Sequence, residues 1–568
     1  MALAICVRSA RVLGLAMLAG LALPAFAGVT YSPVALSGTD GPLGPGMGAG
    51  VTFTLLNGQL PTVNRFGQVA FRGNPSSMGG PEGMWIHSGN ANSSVAIAGG
   101  AQPGGGTYTA GTTGIINSTQ INDAGQWAFR LGASSGLFSN VTGTPERTML
   151  AGDIAPGTGG ATYASSASGM PLFNSAGMSG YVANLSVNTG TPPVVISGAT
   201  ANAKGLWVGT PSSNTLVLRQ NDPVLALDAG GNVRVGSFND LSVTMNASGA
   251  FAFNTSLQGS VTTGSGAGSN SVMIATTRGG SLGVIARNGN PAPDASGNDS
   301  ATDLYRSLST SAVAFNNAGN VAFTSSLRNA AGTQTYSSAL FTDTGTGVVH
   351  MAGRSTDAVP TINHSNPGEF AGVTWSSFGT PVMNGAGTLA LTASLANTGA
   401  TNNTGVLLTM DSSGAFSKVA RQADVAIVNG APLGGDAYFT SFNNLVLNGN
   451  GQMAFTALLN GAGIGGGPGG NNSALFGFDP LNGINLIART SDLFEVAPGD
   501  FRTISSIGGV QTSGGEDGRL QSLNANGQLA FELSFTDGST GIFLATVPSA
   551  GTLPLLGLAG LLAARRRR

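Results

Sequence analysis

Side chains that commonly catalyse reactions or bind metals are few and scattered in this 568-residue sequence. The histidines His87, His350 and His364 are far apart, and none is paired at an i, i+4 spacing or placed in a metal-binding motif. No convincing Gly-x-Ser-x-Gly motif, typical of the nucleophile turn of hydrolases, is present. The one cysteine, Cys6, lies in an N-terminal segment that we expect to be removed. We therefore predict no catalytic residue and expect a protein that is not an enzyme.

Aspartates recur at one place in a repeated pattern, close to proline. Such residues could form a ring of carboxylates that holds Ca²⁺ or a cationic ligand, although closing a turn is the simpler role. They are Asp40, Asp153, Asp222, Asp357, Asp424 and Asp492. A further acidic stretch, residues 514–518, lacks the ligand spacing of a known calcium loop, and we interpret it as a solvated turn. We expect no cofactor and no metal, with Ca²⁺ at the aspartates as the alternative.

Two other groups of side chains with binding potential are better explained by a structural role. Arginines recur just before the aspartates, and we expect them to form ion pairs within or between units. A site for anions or polysaccharide is the alternative for these arginines, which are Arg219, Arg287, Arg354, Arg421 and Arg489. The tryptophans lie in predicted strands, so we expect them in the core rather than on the surface as platforms for sugars. They are Trp85, Trp127, Trp207 and Trp375.

A repeat positions the recurring aspartates and arginines. The pattern Asn-x-x-Gly-x-x-Ala-Phe occurs eight times, and consecutive asparagines are 52 to 76 residues apart. Recurrence at a loosely regular spacing is typical of repeat architectures. The first, fourth and eighth residues of each copy, which we predict to be structural, are Asn64, Gly67 and Phe71; Asn122, Gly125 and Phe129; Asn174, Gly177 and Tyr181; Asn246, Gly249 and Phe253; Asn316, Gly319 and Phe323; Asn384, Gly387 and Leu391; Asn448, Gly451 and Phe455; and Asn524, Gly527 and Phe531.

Each copy predicts a tight turn followed by a half-buried strand. Asparagine can bind the backbone two residues on, and glycine adopts positive φ without steric cost. Side chains alternate along the strand, so phenylalanine points into a core and alanine allows a neighbouring sheet to approach. Together with the residues before asparagine and two apolar segments after the motif, each unit has about four short antiparallel strands.

Eight such units predict an all-β fold. We expect a β-propeller of eight blades, each of about four antiparallel strands, over residues 28–546. The segment at residues 34–37 has the sequence type of a fourth strand, so it can complete the last blade beside residues 541–545. An open β-solenoid and two smaller propellers are the alternatives. Short apolar helical segments are expected at the two termini.

The two ends of the chain predict export. Residues 1–27 contain two arginines, an apolar run and an Ala-Phe-Ala cleavage site, which are the parts of a signal peptide. Residues 547–568 have an apolar stretch closed by arginines, the layout of a sorting tail that is arrested in the membrane and later cut. A tail that remains as an anchor is the alternative. The residues that define this segment are Val547, Pro548, Gly551, Arg565, Arg566, Arg567 and Arg568.

These residues support two resemblances. The repeat resembles that of the choice-of-anchor tandem repeat NxxGxxAF-containing family, a group of exported proteins with no assigned activity. The copies depart from the pattern at Gly180, Tyr181 and Leu391, so we expect those two blades to pack differently. The C-terminal segment resembles the PEP-CTERM sorting signal of Gram-negative bacteria, with Ser549 and Ala550 in place of Glu and Pro. This resemblance implies processing by an exosortase and a location at the cell surface or in the extracellular matrix.

Charge and the predicted export together indicate the class of partner. Without the six arginines of the two ends, 17 basic residues face 25 acidic ones, which argues against nucleic-acid binding. The expected partners are signal peptidase, an exosortase, the membrane through the C-terminal segment, and polysaccharide or matrix proteins. We expect a non-catalytic surface protein of unknown ligand. The alternatives are a multivalent adhesin and a propeller lyase or hydrolase that acts on polysaccharide. Such an enzyme would need a deep pocket with two or three charged residues that break the repeat symmetry.

Overall fold

The computed structural model describes residues 29–547, with gaps at 57–58, 77–81, 109–115, 133–135, 167–170, 196–200, 239–241, 260–271, 310, 429–430, 435 and 468. The signal peptide and the apolar helical segments expected at the termini lie outside the described residues. So do Pro548, Gly551 and the four terminal arginines of the predicted sorting segment.

The described residues form an eight-bladed β-propeller, as predicted. Each blade is an antiparallel sheet whose strands follow one another in sequence from the axis outwards. Strand β1 (Thr30–Leu36) and a single 3-10 turn (Gly41–Leu43) precede the first blade. In blades 1 and 3–6 a two-residue strand continues the inner strand up to the asparagine of the repeat.

The first four blades have the following strands. Blade 1 contains β2 (Phe53–Leu55), β3 (Thr62–Val63), β4 (Val69–Pro75), β5 (Gly83–Ser88) and β6 (Ala91–Ile97). Blade 2 contains β7 (Ile116–Ile121), β8 (Trp127–Leu131), β9 (Gly136–Ser139) and β10 (Glu146–Met149). Blade 3 contains β11 (Tyr163–Ser166), β12 (Leu172–Phe173), β13 (Ser179–Leu185), β14 (Lys204–Thr210) and β15 (Ser213–Arg219). Blade 4 contains β16 (Val233–Phe238), β17 (Thr244–Met245), β18 (Phe251–Gly259), β19 (Val272–Thr276) and β20 (Gly283–Arg287).

The remaining blades complete the circle. Blade 5 contains β21 (Pro291–Pro293), β22 (Asp299–Leu308), β23 (Ala314–Phe315), β24 (Val321–Asn329), β25 (Thr335–Thr342) and β26 (His350–Arg354). Blade 6 contains β27 (Thr374–Phe378), β28 (Val382–Met383), β29 (Leu389–Ala396), β30 (Gly405–Met410) and β31 (Phe416–Arg421), followed by a small hairpin of β32 (Ile427–Val428) and β33 (Ala431–Pro432). Blade 7 contains β34 (Tyr438–Leu447), β35 (Met453–Asn460), β36 (Ser473–Asp479) and β37 (Gly483–Arg489). Blade 8 contains β38 (Leu493–Ala497), β39 (Asp500–Ile507), β40 (Gln528–Phe535) and β41 (Thr540–Thr546).

The first strand of the chain closes the propeller. Strand β1 pairs antiparallel with β41, from Thr30 opposite Thr546 to Leu36 opposite Gly541, and so becomes the outer strand of blade 8. This pairing confirms the closure expected from the sequence and rules out an open solenoid or two smaller propellers. Because the circle is closed between the first and last repeats, each blade packs against a neighbouring blade on both of its faces.

The repeat strand builds the core between blades. Its phenylalanine is buried and lies opposite an apolar residue of the next strand, as Phe323 does with Phe341 at a ring-centroid distance of 5.4 Å. Its alanine faces the neighbouring blade, as Ala70 does beside Phe129. The four tryptophans are between 0% and 7% exposed, which confirms that they belong to the core.

Two blades pack differently from the others, as expected from their sequences. An alanine at Gly180 would place its Cβ 2.7 Å from the Met245 sulfur. Beside it, Tyr181 bonds to the hydroxyl of Tyr163 at 2.9 Å. In blade 6, Leu391 is buried in one cluster with Trp375 and lies opposite Leu408, so no aromatic pair forms between these two strands there.

The propeller has two faces with different connections. All eight repeat turns lie on one face, which we call the turn face. Thr546 is opposite both Gln528, which directly follows the last repeat turn, and Thr30. Both ends of the described chain, Val29 and Val547, therefore lie on the turn face. The longer connections between blades lie on the opposite face.

Candidate functional site

Each repeat turn is held by its own asparagine side chain. In seven turns Oδ1 accepts the N–H groups two and four residues on, as Asn64 does from Phe66 and Gln68, both at 3.0 Å. In the eighth, Asn316 Oδ1 accepts the N–H of Asn320 at 2.9 Å. The glycine three residues after asparagine has φ between +74° and +83°, a region that costs other residues free energy. The turn predicted from the sequence is confirmed.

The same asparagines join the blades to one another. Each Nδ2 donates to the backbone carbonyl of the asparagine in the next repeat, and Asn524 in the last repeat donates to Asn64 in the first. In chain order from Asn64, the eight distances are 3.0, 3.2, 2.9, 3.4, 3.1, 3.1, 2.9 and 2.6 Å. All eight side chains are buried, with at most 8% exposed. We call this closed circle of hydrogen bonds around the axis the turn ring.

Residues 508–523, which we call the plug, fill the axis directly beneath the turn ring. The plug joins β39 to Asn524, and only five residues occupy the corresponding place between Phe378 and Asn384 in repeat six. Its carbonyl groups accept hydrogen bonds from the residue that precedes asparagine in four other repeats. These bonds run from Val63 to Gln521 at 2.9 Å, from Phe173 to Gly518 at 2.7 Å, from Met245 to Asp517 at 3.0 Å and from Leu447 to Ser513 at 3.0 Å.

The expectation of a solvated turn at residues 514–518 is wrong. Asp517 is only 5% exposed, and its carboxylate accepts hydrogen bonds from the Ser513 hydroxyl at 2.8 Å and the Arg519 N–H at 3.2 Å. Gly514 lies so close to blade 6 that a Cβ there would overlap the carbonyl oxygen of Met383. The physical reason for the burial is that the blades offer backbone partners at the axis. The spacing of 76 residues before Asn524, the longest between asparagines, was the available sequence signal.

An axial cavity of about 290 Å³ lies between the plug and the turn face. Much of its wall is formed by the residue that follows asparagine in six of the eight turns, and its floor is formed by the plug. These six residues are Asp123, Ser175, Ala247, Asn317, Gly449 and Ala525. Asp123, Glu516 and Arg519 line it, and none of them recurs in the other repeats at its position. The cavity therefore holds charged residues that break the repeat symmetry.

Backbone N–H groups at the cavity wall bind oxygen atoms of the lining side chains. Asp123 Oδ1 accepts the N–H of Arg65 at 2.7 Å, and Glu516 Oε2 accepts the N–H of Asn317 at 2.9 Å. These bonds fix the two carboxylates. Burial lowers the pKa of the Arg519 guanidinium, and the Asp517 carboxylate acts in the opposite direction. An arginine remains a cation at neutral pH, so the cavity combines a cation with two anions.

The recurring arginines and aspartates lie at the outer strands, away from the axis. Two of the predicted ion pairs are present, Arg354–Asp357 at 3.0 Å and Arg489–Asp492 at 2.7 Å. In two other blades the aspartate accepts the backbone N–H of the arginine, at 2.6 Å for Asp222 with Arg219 and 3.1 Å for Asp424 with Arg421. Asp153 pairs with Arg147 at 3.2 Å. Among the described residues, no three histidine, cysteine, aspartate or glutamate side chains meet as a metal site requires.

The three histidines belong to different parts of the propeller. His87 is buried in blade 1 with Nδ1 2.9 Å from Asn92 Oδ1, and burial lowers its pKa. His350 Nδ1 is 3.1 Å from the carbonyl of Val348 in blade 5. His364 lies in the connection to blade 6 with φ +60°. The structure therefore does not bring them together.

Within the described part of the predicted sorting segment, Val547 is buried with its side chain against Gly477 of blade 7. Its N–H donates to the carbonyl of Gly527 at 2.8 Å, so this end of the described chain lies beside a repeat turn. No helix in the part of the chain that the structure describes has the length and apolar character needed to cross a membrane.

A family of unknown function, DUF7453, matches this chain over residues 32–193, 131–351 and 194–552. No curated protein matches it. The family match thus covers nearly all of the propeller.

Several solved structures overlap the chain at low similarity. A Mycobacterium tuberculosis puromycin-hydrolyzing peptidase is 12% identical with a TM-score of 0.32, and the overlap covers 84% of this chain and 57% of the peptidase. The Dos1 propeller is 11% identical with a TM-score of 0.29, covering 68% and 72%. A Trypanosoma rangeli sialidase in complex with the inhibitor DANA is 9% identical with a TM-score of 0.25, covering 94% and 61%. The chain thus spans less than two thirds of the peptidase and of the sialidase, and at these TM-scores the overlaps carry no argument about activity.

Proposed function

Because this chain belongs to DUF7453, a family of unknown function, its role has to be inferred from its own residues, and we propose that it is an exported, non-catalytic propeller of the cell surface or extracellular matrix. In this proposal the chain is exported by its signal peptide. Its C-terminal segment is then sorted by an exosortase or kept as an anchor. The body acts as a rigid module that presents its faces to polysaccharide or matrix proteins.

The closed turn ring is the observation that carries this proposal. Eight buried side-chain hydrogen bonds and the pairing of β1 with β41 hold the circle together. The sequence after residue 6 contains no cysteine, so this rigidity does not depend on disulfide bonds. Each blade alone is too small to be stable, and side-by-side packing provides stability outside the cell.

An enzyme that acts on polysaccharide is the second candidate, because one observation favours it. The axial cavity contains Asp123, Glu516 and Arg519, charged residues that break the repeat symmetry. Two carboxylates facing one cavity are the side chains that glycoside hydrolysis uses. In this chain each carboxylate already accepts a backbone N–H through one oxygen, Asp123 from Arg65 and Glu516 from Asn317, which holds it in place at the wall.

Expression of the full chain in a Gram-negative host tests the export and sorting parts of the proposal. We expect a surface or released product that begins at Gly28 and lacks the terminal arginines, measured by mass spectrometry of the intact protein. Replacing Ala25 and Ala27 with bulky residues should leave the leader attached, since signal cleavage needs small side chains there. A cytoplasmic product with residues 1–27 intact would contradict export.

Incubation of the purified exported protein with extracellular polysaccharides separates the two candidates. The non-catalytic proposal expects no new reducing ends and no unsaturated products. Turnover that is lost in the Asp123→Asn or Glu516→Gln variant would contradict it and support the enzyme.

A further inference from the structure

We propose that the axial cavity binds one polyhydroxylated unit, such as a neutral sugar residue of a polysaccharide. This goes beyond the proposed surface role, because it assigns a ligand class to a defined site. It does not depend on export and can be tested on the purified protein.

The turn ring makes the cavity wall rigid and leaves its side chains free to differ. Asparagine and glycine are required at the first and fourth positions of every turn, whereas the second position carries no such constraint. In chain order the residues at the second position are Arg65, Asp123, Ser175, Ala247, Asn317, Gly385, Gly449 and Ala525. Six of these residues line the cavity, which is therefore asymmetric: Ser175, Ala247, Gly449 and Ala525 are small and leave room for a ligand, whereas Glu516 of the plug fills the space beside Gly385.

The polar groups of the cavity match hydroxyl groups. Asp123 and Glu516 each bind a backbone N–H through one carboxylate oxygen, which orients the other oxygen as an acceptor. The Arg519 guanidinium and the Ser175 hydroxyl, which also line the cavity, are donors. A ring of hydroxyl groups can donate to the carboxylates and accept from the donors at the same time.

Charge and shape exclude other ligand classes. Asp123, Glu516 and Arg519 together carry one net negative charge, which disfavours phosphate, sulfate and other anions. Val63, Ile121 and Phe173 contribute limited apolar surface to a mostly polar wall, which suits the face of a sugar ring and not an acyl chain. A volume of about 290 Å³ accommodates a small ligand and not an extended oligomer.

Titration of the purified exported protein with neutral monosaccharides tests the proposal, with binding followed by saturation-transfer NMR. We expect at least one neutral hexose to bind, and the Ser175→Trp variant to bind it at least tenfold more weakly because the ring fills the cavity. The matched control is Ala176→Trp in the same turn, since Ala176 is exposed but does not line the cavity. Ala525→Trp, which fills the cavity from another blade, replaces Ser175→Trp if that variant does not fold.

Three results would overturn the proposal. The first is the absence of binding to every sugar in the panel. The second is equal loss of binding in the Ser175→Trp and Ala176→Trp variants, which would place the ligand elsewhere on the turn face. The third is tighter binding of inorganic phosphate than of any neutral sugar.

Discussion

The side-chain amide of Asn524, in the last repeat, donates a 2.6 Å hydrogen bond to the backbone carbonyl of Asn64, in the first. These residues are 460 positions apart in the chain, yet they make the same contact as neighbouring repeats do. The circle therefore has no weak junction at its inner edge. At its outer edge β1 performs the corresponding closure with β41.

Changing Asn448 to aspartate should destabilise the protein through the turn ring. Its Nδ2 donates to the Asn524 carbonyl and to Gln452 Oε1, both at 2.9 Å, while Oδ1 accepts two backbone N–H groups. Aspartate keeps the acceptors but replaces the donor with a buried carboxylate oxygen facing a carbonyl. We expect a loss of about 3 kcal/mol in the free energy of unfolding at pH 7, measured by denaturant titration.

Acid should partly restore the Asn448→Asp variant, because a protonated carboxyl regains a donor. The control is Asn443→Asp on the exposed side of β34, which should change the free energy of unfolding by less than about 0.5 kcal/mol. Equal stability of the two variants at pH 7 would show that the turn ring contributes little.

Deleting residues 29–36 should open the propeller. The deletion removes the outer strand of blade 8, including Val34, Ala35 and Leu36, which are at most 2% exposed. It exposes the edge of β41, which can then pair with other chains. We expect aggregation, or a much lower melting temperature, by size-exclusion chromatography and calorimetry. A monomer that melts like a chain starting at residue 28 would contradict the role of β1 in closure.

Changing Gly514 to alanine should displace the plug. The added Cβ would overlap the Met383 carbonyl oxygen, so either the plug or β28 has to move. We expect a loss of about 2 kcal/mol in the free energy of unfolding and faster hydrogen exchange at residues 508–523. Gly279→Ala is the matched control, because nothing lies within 4 Å of the added Cβ there. Slow exchange in the plug of the Gly514→Ala variant would argue against close packing at the axis.

Glu532 should make stability depend on pH. Burial raises its pKa to about 7, although Arg72 acts in the opposite direction. Between about pH 4.5 and pH 7 the folded chain keeps a proton that the unfolded chain releases. The free energy of unfolding should therefore fall as the pH rises through this window and become level above it.

The Glu532→Gln variant should lack this fall, and the gain over the native chain should approach about 3 kcal/mol at pH 8. Denaturant titrations between pH 4 and pH 9 measure both profiles. The same substitution at the exposed Glu495 is the control. Parallel profiles for the native chain and Glu532→Gln would remove Glu532 as the cause.

The propeller was predictable because its repeat encodes local and packing requirements together. Asparagine and glycine specify a turn, and the alternating Ala-Phe strand specifies which side meets the core and which meets the next blade. Residues 34–37 have the sequence of a fourth strand, although they come before the first repeat. They could therefore be assigned to the last blade, whose own fourth strand is missing from the end of the chain. The different packing at Gly180, where Met245 and Phe251 lie close to the missing side chain, also follows from a departure from the pattern set by the other copies.

The axial site was not predictable, because its partners are brought together only by the closed circle. Asn64 and Asn122 look like independent turn residues in the sequence, and nothing local indicates that one donates to the other. Residues 514–518 have the composition of an exposed turn, and their burial depends on N–H groups from blades several hundred residues away. Asp123 and Glu516 meet in one cavity only after every blade is in place.

The position of β41 would determine how the protein resists mechanical force if its C-terminal end were held in moving fluid. Strand β41 is flanked along its length by β1 on one side and β40 on the other. Drag on the body would pull β41 parallel to its own strand direction. This shear force would be shared at once by all the hydrogen bonds that join β41 to β1 and to β40. Unzipping would instead break those bonds one at a time. In the proposed anchored form, β41 would therefore be the strand that bears tension.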